Sequence, residues 1–215
     1  MTLEEVQRLC ARFVERVEAA DHAHDVAHVR RVVRNVDWLT REEGADAWIT
    51  LPAAWLHDCV TVAKDSPLRS QGSRLAADAA AEFLRGIGYP DDQLDAVRHA
   101  IEAHSFSADI PALTPEARIV QDGDRLDSLG AIGIARCLLV GGKLDRPLCS
   151  PQDPFCETRA PDDRRYTLDH FYAKLLQLPQ RMHTRAGRAE AERRARLMLN
   201  FLDDLKAEML AGHHG

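Results

Sequence analysis

The chain has 215 residues, 45% of them hydrophobic and 29% charged, a balance that suits a globular protein long enough to bury a core. Its 28 Lys and Arg against 34 Asp and Glu leave a formal charge of -6, which argues against the extended basic face that grips nucleic acid. The 5 cysteines (Cys10, Cys59, Cys137, Cys149 and Cys156) form no CxxC pair, so free thiols in a reducing cytosol are expected, not a disulfide framework or a zinc knuckle. No leader is visible at Met1–Val6, and the longest apolar run, Leu129 to Val140, is interrupted by glycines and Arg136. A soluble, cytoplasmic chain with no membrane partner is the expectation.

In chain order, almost every periodic segment reads as helix. Residues 3–19 place Val6, Leu9, Cys10, Phe13, Val14 and Val17 on one stripe. A second helix follows Asp21-His22-Ala23, carries Val26, Val29, Val33, Val36 and Leu39, and ends near Gly44. A third runs from about Asp46 into His57-Asp58, and Lys64-Asp65-Ser66-Pro67 breaks the pattern after it. A fourth spans from about Ser70–Ser73 to Gly86/Gly88, and a fifth starts at Tyr89-Pro90-Asp91 with Leu94, Val97, Ile101 and His104 on one stripe. Thr114-Pro115-Glu116 is a strong start signal for a sixth: a capping hydroxyl, a proline at the first helical position, then an acid at the positive end. Residues 130–140 continue as a helix punctuated by glycine, 141–165 are irregular, and helices over about 166–177 and 185–210 close the chain. With no strand alternation and no internal repeat, one all-α domain over 1–215 is expected. Its 141–165 loop is expected to fold over one face of the helical body.

The chemistry is concentrated in acids and histidines. His57 stands directly before Asp58, and neighbours on a helix point about 100° apart, so both grip one ion only if it sits between them. Imidazole nitrogen beside carboxylate oxygen suits a divalent transition metal better than the all-oxygen shells of calcium and magnesium. Three further clusters stand where helices could converge on that pair: His22, His24, Asp25 and His28; His99 and His104; and Asp122-Gly123-Asp124-Arg125-Leu126-Asp127. His104 lies on the apolar stripe of its helix and His99 does not. A glycine inside a helix, as at Gly123, implies close approach of another backbone. Asp122 and Asp124 lie about 200° apart around that helix, so they do not aim at one point, and the stripe Ile119-Gly123-Leu126 lies midway between them. Periodicity does not choose between the two.

The ordered set resembles the HD-domain metal-dependent phosphohydrolases. The matching pieces are His28 in His-x-x-Arg-Val, the His57-Asp58 doublet, His99 to His104 followed by Ser105-Phe106-Ser107, and Asp122-Gly-Asp-Arg-Leu-Asp. Later pieces, Asp169-His170-Phe171, Lys174-Leu175-Leu176 and Leu178-Pro179, are similar to the small stand-alone bacterial branch of that superfamily. The resemblance implies a helical fold of the HD-domain, phosphodiesterase-like type, with the metal-site core in about 20–135. It implies His28, His57, Asp58 and Asp124 as ligands of one divalent metal, the last because the family acid precedes Arg-Leu. Gly123 stands where alanine is commoner. Manganese is the expected ion, with iron, cobalt, nickel, zinc or magnesium as alternatives. On this reading Asp58, His104 and Asp122 serve catalysis, His104 as general acid or phosphate ligand and Asp122 as proton acceptor or ligand orienter. Lys64, His99 and His104 would face the substrate, and Arg31 and Arg125 would hydrogen-bond the metal-binding carboxylates. The implied activity is cleavage of a phosphoester or pyrophosphate bond in a small phosphorylated molecule, a nucleotide foremost, with homodimer formation open. The alternative is a non-catalytic regulator of the same fold that binds metal and nucleotide.

Overall fold

A helix that is apolar all round must be covered all round, and the segment Ala47–Leu56 sets that requirement here. The computed structural model of the chain describes residues 1–16, 26–60, 62, 69–105 and 108–210. Among them the α-helices are α1 (Leu3–Arg16), α2 (Val26–Glu43), α3 (Ala47–Leu56), α4 (Gly72–Gly86), α5 (Asp91–His104), α6 (Pro115–Leu126), α7 (Gly130–Lys143), α8 (Asp169–Ala173) and α9 (Arg185–Leu210). Short 3₁₀ turns stand at Arg69–Gln71 and Leu175–Arg181, and no described residue lies in a strand. No helix among the described residues is long and apolar enough to cross a membrane. Within the chain two compact units can be told apart, Met1–Leu126 with His183–Gly187 and Asp127–Met182 with Arg188–Gly215.

In the first unit α3 is the central helix, touching α1, α2, α4, α5 and α6. Asp46 caps it by accepting from Trp48 N at 2.8 Å. Pro52 lies in its middle and has no N–H, so the Trp48 carbonyl four residues back loses its helical donor. The Tyr89 hydroxyl, arriving from beyond α4, donates to that carbonyl instead. Buried Thr40 on α2 meets Thr50 on α3 at 2.8 Å between their hydroxyls, and Thr40 Oγ1 also lies 2.7 Å from Val36 O. The start of α6 has the cap that its sequence announces, with Ala117 N donating to Thr114 Oγ1 at 3.1 Å.

The contact that positions the site is the crossing of α2 and α6. A Cβ at Gly123 would overlap Val36 Cγ2 and stand 3.3 Å from Val36 N, so only glycine permits this approach. Asn35 Nδ2 donates to the Gly123 carbonyl at 3.0 Å and locks the crossing.

In the second unit α7 packs closely at buried glycines: a Cβ at Gly130 would stand 3.3 Å from Arg194 Cβ, and one at Gly141 would overlap Thr167. The helix extends to Lys143, so the irregular stretch starts later than expected, and it is held internally by acids. Asp153 accepts from Glu157 N at 3.0 Å, Thr158 N at 2.8 Å and Arg159 N at 3.2 Å. Buried Asp169 takes the Arg159 fork at 2.5 and 2.7 Å and Asp162 N at 2.6 Å. The helix expected over about 166–177 is broken into α8 and the 3₁₀ turn. Lys174 at φ -137 leaves the helical region, and Pro179 has no N–H to return to Leu175 O. On α9, Met198 and Leu202 are buried, whereas Met209 is exposed.

Two consequences are measurable by denaturant unfolding. Gly123→Ala is expected to cost about 2–3 kcal/mol through overpacking. Removing the struck methyls with Val36→Ala should recover part of that loss, a non-additive pair. Tyr89→Phe should cost about 1–3 kcal/mol, because the Trp48 carbonyl freed by Pro52 is left without a donor.

Candidate metal centre

Two histidines at helix ends are held by the helices' own last carbonyls. The final carbonyls of a helix lack N–H partners, and here imidazoles supply them. His57, just beyond α3, lies with Nδ1 2.8 Å from Ala54 O, and His104, the last residue of α5, lies with Nδ1 2.6 Å from Ile101 O. A carbonyl can only accept, so Nδ1 carries the proton in both rings and each Nε2 faces the interior of the site. The two rings meet edge to face with centroids 4.9 Å apart, and His28 on α2 stands edge to face with His57 at 5.5 Å.

The three Nε2 atoms converge on two carboxylates. His28 Nε2 lies 3.4 Å from Asp124 Oδ1 and 3.9 Å from Asp58 Oδ2. His57 Nε2 lies 3.5 Å from Asp58 Oδ2 and 4.0 Å from Asp124 Oδ1. His104 Nε2 lies 3.4 Å from the other oxygen, Asp58 Oδ1. One donor atom each from His28, His57 and Asp58 falls within 4.8 Å of the others. His28 and His57 are buried, while Asp58 and Asp124 keep 27% and 29% of their side chains accessible, so the centre is open on its carboxylate side.

The electrostatics separate the histidines. Burial holds His57 below the ordinary imidazole range, against the upward pull of the Asp58 charge. Its buried Nε2 makes no hydrogen bond. A neutral His57 therefore presents a lone pair to two carboxylates, acceptor facing acceptor. A cation between them resolves that repulsion, so the donor set fits a divalent metal. Burial also pulls on His104, but its hydrogen bond to Asp58 and the charges of Asp58 and Asp124 outweigh it and raise the ring to about 9.

The other predicted positions fall differently. Asp122 does not join the cluster as a proton acceptor: it is fully buried and its carboxylate is consumed elsewhere. His183 N reaches both its oxygens at 3.0 Å, and Thr184 N and Thr184 Oγ1 each reach Oδ2 at 2.8 Å. His99 is not placed for substrate through Nε2, which accepts from Leu113 N at 3.1 Å. Arg31 and Arg125 are half-buried and engaged, and the Arg125 charge acts on His183. Lys64, His22, His24, Asp25, Phe106 and Ser107 lie outside the described residues.

Sequence reasoning missed the brace behind the cluster. Gln121 Nε2 donates to Ala103 O at 2.6 Å, one residue before His104, and Gln121 Oε1 lies 2.6 Å from His183 Nε2. Thr184, the residue that bonds Asp122, also accepts from Gly187 N at 3.0 Å as the cap of α9. A threonine immediately before Arg185-Ala186-Gly187 was the only signal of this brace in the sequence.

Helices that bring histidines and aspartates from separate segments to one buried, open-sided cluster form a donor set that fits a metal ion. The chain belongs to the HD-domain family, whose model matches residues 8–129. It is 32% identical over 191 residues to the Bacillus subtilis protein YpgQ, covering 86% of this chain and 84% of that protein. Among solved structures it resembles an HD-superfamily hydrolase from Bacillus thuringiensis, with a TM-score of 0.77, 32% identity and coverage of 98% and 100% of the two chains. It also resembles Bacillus subtilis YpgQ in complex with ADP, with a TM-score of 0.74, 28% identity and full coverage of both chains.

Asp58→Ala and His57→Ala should each weaken metal binding by more than the roughly 10–100-fold that loss of an outer hydrogen-bond partner costs. Asp122→Ala should instead cost about 3 kcal/mol of stability, because buried donors lose a charged acceptor, while folded molecules still bind metal. Metal content of dialysed protein and thermal unfolding separate the two outcomes.

Proposed function

We propose that the chain is a metal-dependent phosphohydrolase that cleaves a phosphoester or pyrophosphate bond of a small phosphorylated substrate, a nucleotide foremost. The observation that carries this reading is the buried Nε2 of His57, which faces Asp58 and Asp124 without a hydrogen bond. His28, His57, Asp58 and Asp124 would hold one divalent cation, with manganese the first candidate among ions that accept mixed nitrogen and oxygen donors. Such an ion, when bound, polarises a phosphoryl oxygen and lowers the pKa of a water.

The chain's own residues supply the rest. The carbonyls of Ala54 and Ile101 fix which nitrogen of His57 and His104 carries the proton, so both rings are oriented before any ligand arrives. His104, with Nε2 3.4 Å from Asp58 Oδ1, would give a proton to a departing oxygen as general acid. Asp58 therefore acts twice, as a cation ligand through one oxygen and as the partner of His104 through the other. The accessible sides of Asp58 and Asp124 leave room for substrate, while the buried imidazoles exclude water from behind. Arg31 and Arg125 are assigned to hold the ligand carboxylates, and Lys64 to neutralise a phosphate. The ADP complex of YpgQ supports a nucleotide as the substrate class.

The test is release of phosphate and pyrophosphate by metal-stripped protein resupplied in turn with manganese, iron, cobalt, nickel, zinc and magnesium. Nucleoside mono-, di- and triphosphates serve as substrates, with Asp58→Ala as control. Turnover restored by one of these ions and absent from the variant is the expected result. Metal binding without turnover on any nucleotide would move the function to regulation.

A further inference from the structure

Helix α5 ends at His104 because Ser105 turns to extended backbone, with φ -77 and ψ 128. The last carbonyls of a helix have no N–H partner within it. His104 Nδ1 serves one of them, Ile101 O, at 2.6 Å. Another, Ala103 O, belongs to a fully buried residue, where a carbonyl without a donor is costly. Gln121 on α6 supplies that donor, with Nε2 2.6 Å from Ala103 O. Ala103 O and His104 N belong to one planar peptide group, so this bond fixes the plane from which the His104 side chain departs.

Gln121 is itself held in one orientation. A carbonyl can only accept, so the NH2 end of the amide faces Ala103 and its oxygen faces away. On that side Oε1 lies 2.6 Å from His183 Nε2, which therefore carries a proton. Burial, against the pull of the Asp122 charge, keeps His183 below the ordinary imidazole range, and the neutral ring gives its single proton to Gln121. The backbone N–H of His183 reaches both oxygens of Asp122 at 3.0 Å. A chain of bonds thus runs from Asp122 through His183 and buried Gln121 to the peptide that carries His104. At its far end His104 Nε2 stands 3.4 Å from Asp58 Oδ1, in a site whose groups must hold their places to about 0.5 Å and 10–20° to work together.

We infer that Gln121, oriented by His183, is the positioning residue of His104, aiming its Nε2 at Asp58 by fixing the Ala103–His104 peptide. That this aim serves hydrolysis rests on the phosphohydrolase reading above. The brace itself does not.

The experiment compares the full chain as wild type, Gln121→Met and His183→Phe. Gln121→Met keeps the side chain's length and removes both bonds, whereas His183→Phe leaves Ala103 O its donor and removes only the orienting link. In metal-free protein, hydrogen exchange of the His104 amide and Nδ1–H is followed by NMR beside that of the α1 amides. Exchange at His104 should be roughly tenfold faster in Gln121→Met and faster by a smaller factor in His183→Phe, with α1 unchanged. In metal-loaded protein, kcat and KM are measured on the best nucleotide of the panel above and on a p-nitrophenyl ester of a nucleotide, whose leaving group departs without a proton. On the nucleotide, kcat should fall roughly tenfold with KM unchanged in Gln121→Met, and on the ester by less than about twofold, because only the first reaction draws on a general acid.

Exchange that rises equally in α1 and at His104 would overturn the proposal, by making Gln121 a residue of stability alone. Unchanged exchange at His104 would overturn it as well, and so would equal losses of kcat on nucleotide and ester. If Gln121→Met does not fold, His183→Phe decides by the same readings. Faster exchange at His104 in a chain whose wild type hydrolyses no nucleotide would sink the phosphohydrolase reading and uphold the brace. Hydrolysis by the wild type, with exchange and kcat unchanged in both variants, would do the reverse.

Discussion

The approach of α2 to α6 at Gly123 is the contact on which the candidate centre depends. His28 and Asp124 lie far apart in the chain, on helices that would stand further apart if any side chain replaced Gly123. With the Val36 methyl filling the place of a Cβ, and Asn35 bonded to the Gly123 carbonyl, Asp124 Oδ1 comes to 3.4 Å from His28 Nε2. The glycine weakens the helix it sits in, a cost of about 1 kcal/mol against alanine. That local loss is offset by a backbone approach that no other residue allows.

Around this crossing, several buried polar groups are satisfied. Asp122 is satisfied, with its two oxygens shared among donors of residues 183 and 184. Thr40 and Thr50 satisfy one another, and Tyr89 closes the gap that Pro52 opens in α3. The exceptions among the described residues include Trp55 Nε1, His57 Nε2 and Ser73 Oγ, which are buried without hydrogen bonds. An unsatisfied buried polar atom is costly in a folded chain, and at His57 Nε2, which faces Asp58 and Asp124, a cation would relieve that cost.

The same logic explains why two acids with similar sequence settings differ in their work. Asp122 and Asp124 flank one glycine on one helix, yet the first faces donors that the start of α9 provides and the second faces imidazoles. In the other unit, Asp169 resembles Asp122 in being buried and consumed, there by the Arg159 fork and Asp162 N. That bond network orders much of the stretch whose prolines and lack of periodicity suggested a loose covering loop.

Much was legible in the sequence because it was local. Helical stripes, the Thr114 cap, the span of α9 and the close approach implied by Gly123 depend on residues a few positions apart, and each was readable from local sequence. Resemblance to a family implied a ligand set, His28, His57, Asp58 and Asp124, that spacing alone did not give. The choice of Asp124 over Asp122 was not local: their separation around the helix is symmetric about its apolar stripe, and only partners about sixty positions away break the symmetry. The same holds for His99, which is withdrawn by Leu113 N, and for Gln121 and His183, whose roles exist only once α5, α6 and the start of α9 meet. The break of the expected 166–177 helix lay between these cases, since Pro179 was visible while the departure of Lys174 from helical geometry was not. The sequence by itself determined which segments coil and which residue types are present for chemistry, because both depend on near neighbours. Only the tertiary structure decided which of those groups are satisfied and which are left to bind, because that depends on donors delivered from distant parts of the chain.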